Sequence, residues 1–179
     1  MAMRLKVLVR LGRAAALTAA VVVVVSVLAL GAGPGRAAAG ARPIGGGVES
    51  IWCTSAGECA GVGFLDFRDR ARPLVVSEKN GAWGGAGTVP GLSALPIGDH
   101  GAWLGALSCS SAGNCAAGGS YAPDGSDEHA EGLFVSERNG VWGNAEAIAG
   151  LAELNTGKSA AVGFMSCRSA GNCTAAGGV

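Results

Sequence analysis

Residues 109–115 read CSSAGNC, and the phrase returns twice with small changes, as CTSAGEC at 53–59 and CRSAGNC at 167–173. All six cysteines of the chain lie in these phrases, spaced so that five residues separate the members of each pair. Local bridges Cys53–Cys59, Cys109–Cys115 and Cys167–Cys173 are therefore expected, each stapling one turn. Closing a seven-residue loop removes about 2 to 2.5 kcal/mol of unfolded-state entropy on the chain-entropy account. Zinc is the competing use of paired cysteines. Structural zinc sites favour closer spacing or Cys with His, and neither His100 nor His129 adjoins a pair.

Other features keep step with the cysteines. Ser77–Trp83 reads SEKNGAW, Ser136–Trp142 reads SERNGVW, and each follows an apolar stretch, PLVVSE or GLFVSE; Gly91-Leu92 returns as Gly150-Leu151. A fixed period of this kind marks one supersecondary unit copied along the chain. Within a unit, GAWLGALSC and CAAGGSY flank the SSAGN turn and form a first hairpin, with the cysteines facing across its strands. GLFVSE and VWGNAEAI flank a second turn at Asn139-Gly140, matched by Asn80-Gly81 in the preceding copy, because Asn-Gly tolerates the positive φ of a tight hairpin. Two hairpins per copy make a four-stranded antiparallel sheet. The small residues Ala116, Ala117, Gly118 and Gly119 suit a strand where sheets approach closely, and Trp83 and Trp142 are expected to fill space between neighbouring copies.

The SCxSAGNC phrase followed by VSExNGxW resembles the repeats of secreted, Cys-paired proteins of high-GC Gram-positive, actinobacterial-type bacteria, over roughly Val48 to the end. More distantly, Ser136, Gly140 and Trp142 are similar to the Asp-box turn of sialidase-like propellers, although the Asp is missing and the Trp comes one residue early. Together with the repeat length, the expectation is an all-β fold: four-stranded antiparallel blades of a partial β-propeller, two full blades and the first hairpin of a third, after an N-terminal signal helix. Its segments would be a signal peptide over 1–39, a linker over 40–47 and a repeat region over 48–179, divided as 48–91, 92–150 and 151–179. Closed propellers use about four to eight blades, so the chain is expected to be the N-terminal part of a longer protein. A three-lobed trefoil, or self-association that completes the sheets, also answers to three phrases.

Arg4, Lys6, Arg10 and Arg13 precede the uncharged apolar run 14–30, which leads into the small residues of RAAAGA. This is the order of a secretory leader, cut near Gly40; an uncleaved anchor is the alternative. From Gly40 onward there are 8 Lys and Arg against 13 Asp and Glu, a balance of −5. Nucleic acid is thereby disfavoured as a partner, since phosphate neutralisation needs clustered cations and the only basic cluster is Arg68, Arg70 and Arg72. Glycine supplies 28 of those 140 residues, which argues against long helices.

Three stretches suggest chemistry and fail on context. AELNTGKS, Ala152–Ser159, fits a loose P-loop pattern, but the following AAVGFMSC aligns with a repeat strand rather than a helix. YAPDGSDEHAE offers Asp124, Asp127, Glu128, His129 and Glu131, without the spacing of a calcium loop. Asp99-His100 has no serine elbow to serve. No catalytic, metal or cofactor-binding residue is thus expected. The functional expectation is a secreted, non-enzymatic binding or structural module with a glycan or protein partner and no membrane contact beyond the leader. The alternative is the propeller portion of a larger secreted hydrolase.

Overall fold

A computed structural model describes residues 42–125, 129–156 and 159–178. The expected signal helix lies outside the described residues. Among the described residues strand accounts for 61% and helix for 5%, which makes the fold all-β, and the antiparallel sheets do not close into a barrel. Sheet one holds β1 (Gly45–Ser55), β2 (Glu58–Asp66), β3 (Ala71–Lys79), β4 (Ala82–Trp83) and β5 (Gly87–Thr88). Sheet two repeats it with β6 (Ala102–Ser111), β7 (Asn114–Tyr121), β8 (Glu131–Arg138), β9 (Val141–Trp142) and β10 (Glu146–Ala147). Sheet three is the hairpin of β11 (Ala161–Ser169) and β12 (Asn172–Gly178). Strand β1 starts at Gly45, inside the stretch assigned to a linker.

The same irregularities recur in every copy. Register slips leave Glu49, Gly105 and Gly163 unpaired at one bulge, and Thr54, Ser110 and Arg168 at a second beside the first cysteine of each pair. The first bulge explains a glycine written at one place in each phrase. A Cβ on Gly63, Gly119 or Gly177 would lie about 2.0 Å or less from the carbonyl oxygen of Gly47, Trp103 or Ala161 on the bulged strand, so only glycine lets the strands approach. The bridges Cys53–Cys59, Cys109–Cys115 and Cys167–Cys173 then join residues directly opposite each other, with Cα atoms 4.0, 3.9 and 4.0 Å apart, as in the narrow pairs of an antiparallel ladder.

In the second hairpin the turn chemistry is as the sequence suggests: Asn80 and Gly81 have φ of 52° and 77°, Asn139 and Gly140 of 51° and 80°. Both central residues are left-handed, which matches the twist of the flanking strands. The fourth strand, expected to be continuous, is broken. Trp142 stands opposite Glu137 but Glu146 opposite Phe134, so Gly143–Ala145 span two partner positions with three residues, and β10 resumes one residue out of step. Gly84–Ala86 do the same between β4 and β5.

Sheet two is covered on both faces. Leu104, Leu107, Leu133 and Val135 share one core with Val62 and Val75 of sheet one. On the other face, a Cβ on Gly118 would come within 2.4 Å of Val162 Cγ1, and the Cys167 amide donates to Ser108 Oγ at 3.0 Å. The run AAGG after Cys115 is therefore the strand squeezed between two neighbours, and all four residues are buried. Trp142 packs half-buried against the core between the first two sheets. Trp83, its counterpart, is 44% exposed. The expectation that both tryptophans fill space between copies is corrected for Trp83, because among the described residues no sheet lies against the outer face of the first.

Candidate functional site

The two repeated turns meet at one end of sheet one and of sheet two. Gly81 N–H donates to Gly57 O at 3.0 Å, and Gly140 N–H to Gly113 O at 2.9 Å, so the glycine of SAG accepts from the glycine of NG. The residue before the second cysteine completes the clasp: Glu58 Oε1 accepts from Asn80 N at 2.9 Å, and Asn114 Oδ1 from Asn139 N at 3.3 Å. Asn114 also donates through Nδ2 to Ser111 Oγ and Ala112 O, fixing its own turn. This is why the CxSAGxC and NG phrases travel together, and why the sixth position of the phrase is Glu or Asn, both side-chain acceptors. A Cβ at Gly57 or Gly113 would sit 2.7 Å from the partner glycine's nitrogen and prise the turns apart.

Beside this clasp, between sheets one and two, lies a cleft of about 370 Å³ whose walls include Thr54, Glu58, Ser77, Lys79, Glu137 and Asn139. Its chemistry comes from the dipeptide Ser-Glu that ends β3 and β8. Because successive strand residues point to opposite faces, Ser77 turns toward sheet two while Glu137, one place further along its own copy, turns back toward sheet one. Ser77 Oγ donates to Glu137 Oε1 at 3.1 Å. Glu137 is 3% exposed, and its other oxygen, Oε2, has no hydrogen-bond partner among the described residues. Burial pushes its carboxyl above the usual carboxylate range, and the hydrogen bond from Ser77 offsets this only in part. Opposite it in the β8–β9 ladder is Trp142, whose buried Nε1–H is also unpartnered. An acceptor and a donor thus stand without partners on one cross-strand pair.

Sequence reasoning placed Asn80, Gly81, Trp83, Asn139, Gly140 and Trp142 as structural turn residues and overlooked Ser77 and Glu137. The signal was the repeated Ser-Glu beside each NG turn; what could not be read was that the two residues serve different neighbours. Two arginines of the basic cluster, Arg70 and Arg72, are bound up locally. Arg72 donates to Asp69 Oδ2 at 2.9 Å and covers the Phe67 ring at 4.4 Å, while Arg70 donates to Ile97 O at 2.7 Å. His129 stands between carboxylates, with Nδ1 3.4 Å from Asp124 Oδ2 and Nε2 3.3 Å from Glu131 Oε1. Asp127 and Glu128 lie outside the described residues, and among those described no three His, Cys, Asp or Glu side chains gather to hold a metal.

The AELNTGKS stretch forms one helical turn, Leu151–Leu154, and Asn155, whose Nδ2 donates to Ala130 O at 2.8 Å; Gly157 and Lys158 lie outside the described residues. Among the described residues no helix is long and apolar enough to cross a membrane. No protein-family model matches the chain, and neither curated proteins nor solved structures give a match.

Proposed function

We propose that the chain is a secreted, non-enzymatic repeat protein whose disulfide-stapled sheets are blades of a β-propeller-like array, and that the cleft between the first two holds a glycan. Three disulfides suit an oxidising, extracellular compartment, and the leader reading of residues 1–39 agrees with them. The recurrence of strand order, bulges and turn clasps from copy to copy supports blades of one kind. The observation that carries the binding role is Glu137 Oε2, buried without a partner in the wall of a cleft of saccharide size. A buried acceptor of this kind costs about 1 to 3 kcal/mol unless something donates to it. A sugar hydroxyl donates, so it answers Glu137 Oε2.

The test is titration of the purified chain with a panel of neutral, amino and acidic mono- and disaccharides, followed by NMR or calorimetry. At least one should bind at roughly millimolar or better affinity, and Glu137→Leu should weaken it tenfold or more. A panel with no binder, or binding untouched by Glu137→Leu, would overturn the cleft assignment.

A further inference from the structure

The two Asn-Gly turns carry the same letters and are clasped by different side chains. Asn80 N–H donates to the carboxylate of Glu58 at 2.9 Å, whereas Asn139 N–H donates to the side-chain amide oxygen of Asn114 at 3.3 Å. A hydrogen bond to an ionised acceptor is shorter and roughly twice as strong as one to a neutral acceptor. The second bond of each clasp is alike, from Gly81 to Gly57 O at 3.0 Å and from Gly140 to Gly113 O at 2.9 Å. Opening the turn therefore costs less at Asn139 than at Asn80.

Asparagine followed by glycine is especially open to attack from within its own backbone, because glycine has no Cβ to shield its nitrogen. The Gly140 nitrogen bonds to Asn139 Cγ and the bond from Cγ to Nδ2 breaks; the proton of the attacking nitrogen passes through solvent to the departing amide, which leaves as ammonia. Water then opens the resulting succinimide at either carbonyl, giving aspartate or isoaspartate. Both asparagines are exposed, yet the closed turn blocks this chemistry twice. Asn80 and Asn139 are left-handed, with φ of 52° and 51°, and that conformation places the following nitrogen on the far side of Cα from the side chain. The same nitrogen is also held by the carbonyl of the facing glycine. The reaction thus runs through molecules whose clasp has opened, and its rate scales with their population.

We infer that Asn139 is a site of spontaneous deamidation in the folded protein, and that the Glu58 clasp shields Asn80 from the same reaction. Glu58 acts again once the turn has opened, since its charge opposes the amide anion that must form at Gly81. Asn114 carries no charge and offers no such protection. The product changes the molecule where it matters: Asn139 belongs to the wall of the cleft between sheets one and two, and the new carboxylate there joins those of Glu58 and Glu137. Isoaspartate also lengthens the backbone of a two-residue turn whose length sets the hairpin register. This holds whether or not the cleft binds a saccharide.

The experiment is incubation of the oxidised, folded chain in mildly alkaline buffer at physiological temperature, with peptide mapping by mass spectrometry at intervals. Unfolded in denaturant, the two turns should react at similar rates, because SEKNGAW and SERNGVW are nearly the same peptide. Folded, both should slow, and Asn139 should react roughly three- to tenfold faster than Asn80. Exchanging the clasps should exchange the order: Glu58→Asn should speed the reaction at Asn80, and Asn114→Glu should slow it at Asn139. In each variant the untouched turn of the same molecule reports whether the fold is intact. Equal rates at the two folded turns, faster loss of Asn80, an Asn139 that stays intact after the unfolded chain has reacted, or rates indifferent to either exchange would overturn the inference.

Discussion

Sheets one and two are written in nearly the same letters and live in different surroundings. Leu107 and Ile51 occupy the same place, two residue pairs from a disulfide, and Trp142 and Trp83 likewise share a place. Only the first member of each pair is covered by a neighbouring sheet. What differs is therefore not the local chain but what lies against it. The repeat specifies hairpins, bulges and clasps by itself, and burial is added by stacking. In arrays of this type stability comes from a term within each copy plus a term for each interface, and the two sheets separate these terms.

Substitution at the matched pair should break the comparison most sharply. Leu107→Ala removes a side chain buried between two sheets and should cost about 2 to 5 kcal/mol. Ile51→Ala, at the same place on an uncovered face, should cost no more than about 0.5 kcal/mol. Denaturant unfolding with both variants checks the contrast at low protein concentration. Equal costs would mean that sheet one is covered in solution by something the present faces do not show.

Those parts of the fold governed by one copy were legible in the sequence. The three cysteine pairs, the Asn-Gly turns and the crowded strand after Cys115 each follow from residues a few places apart. The interruption of the fourth strand was not legible, because GGA and GNA suit a bulge and a continuous extended strand equally well until a partner strand sets the register. The exposure of Trp83 was hidden for a related reason: its phrase is nearly identical to that around Trp142, and only the stacking of sheets distinguishes them. Ser77 and Glu137 were illegible as a pair because they come together from different copies, 60 residues apart. Nothing local in Val-Ser-Glu says that its two polar residues face opposite neighbours.

The turns offer a smaller, opposite test, since here the two sheets should behave alike. Gly81 and Gly140 both hold φ near 80°, and a Cβ on either would meet nothing within 4 Å. Replacing either by Val costs only what the left-handed backbone imposes on a β-branched residue, about 1 to 3 kcal/mol. Matching losses of thermal stability at the two turns would show that the hairpin term is local. A much larger loss at Gly140 would mean that its clasp with Gly113 also supports the stacking of sheets one and two.

The last contrast concerns proton binding at Glu137, and its sign follows from burial. The folded protein holds this carboxyl above its ordinary value of 4.5, so between that value and the raised one the native state binds more protons than the unfolded chain. Below 4.5 both states carry the proton and the site imposes no electrostatic penalty. As pH rises through the raised value, the group must ionise in a buried wall, and the stability present at low pH is lost. Glu137→Gln keeps the shape and the bond from Ser77 while removing the charge. It should therefore flatten the decline of melting temperature from acid toward neutral pH, with Glu78→Gln on the open face as the matched reference. An undiminished decline in Glu137→Gln would locate the pH dependence elsewhere and would show that the cleft is wet enough to solvate the carboxylate.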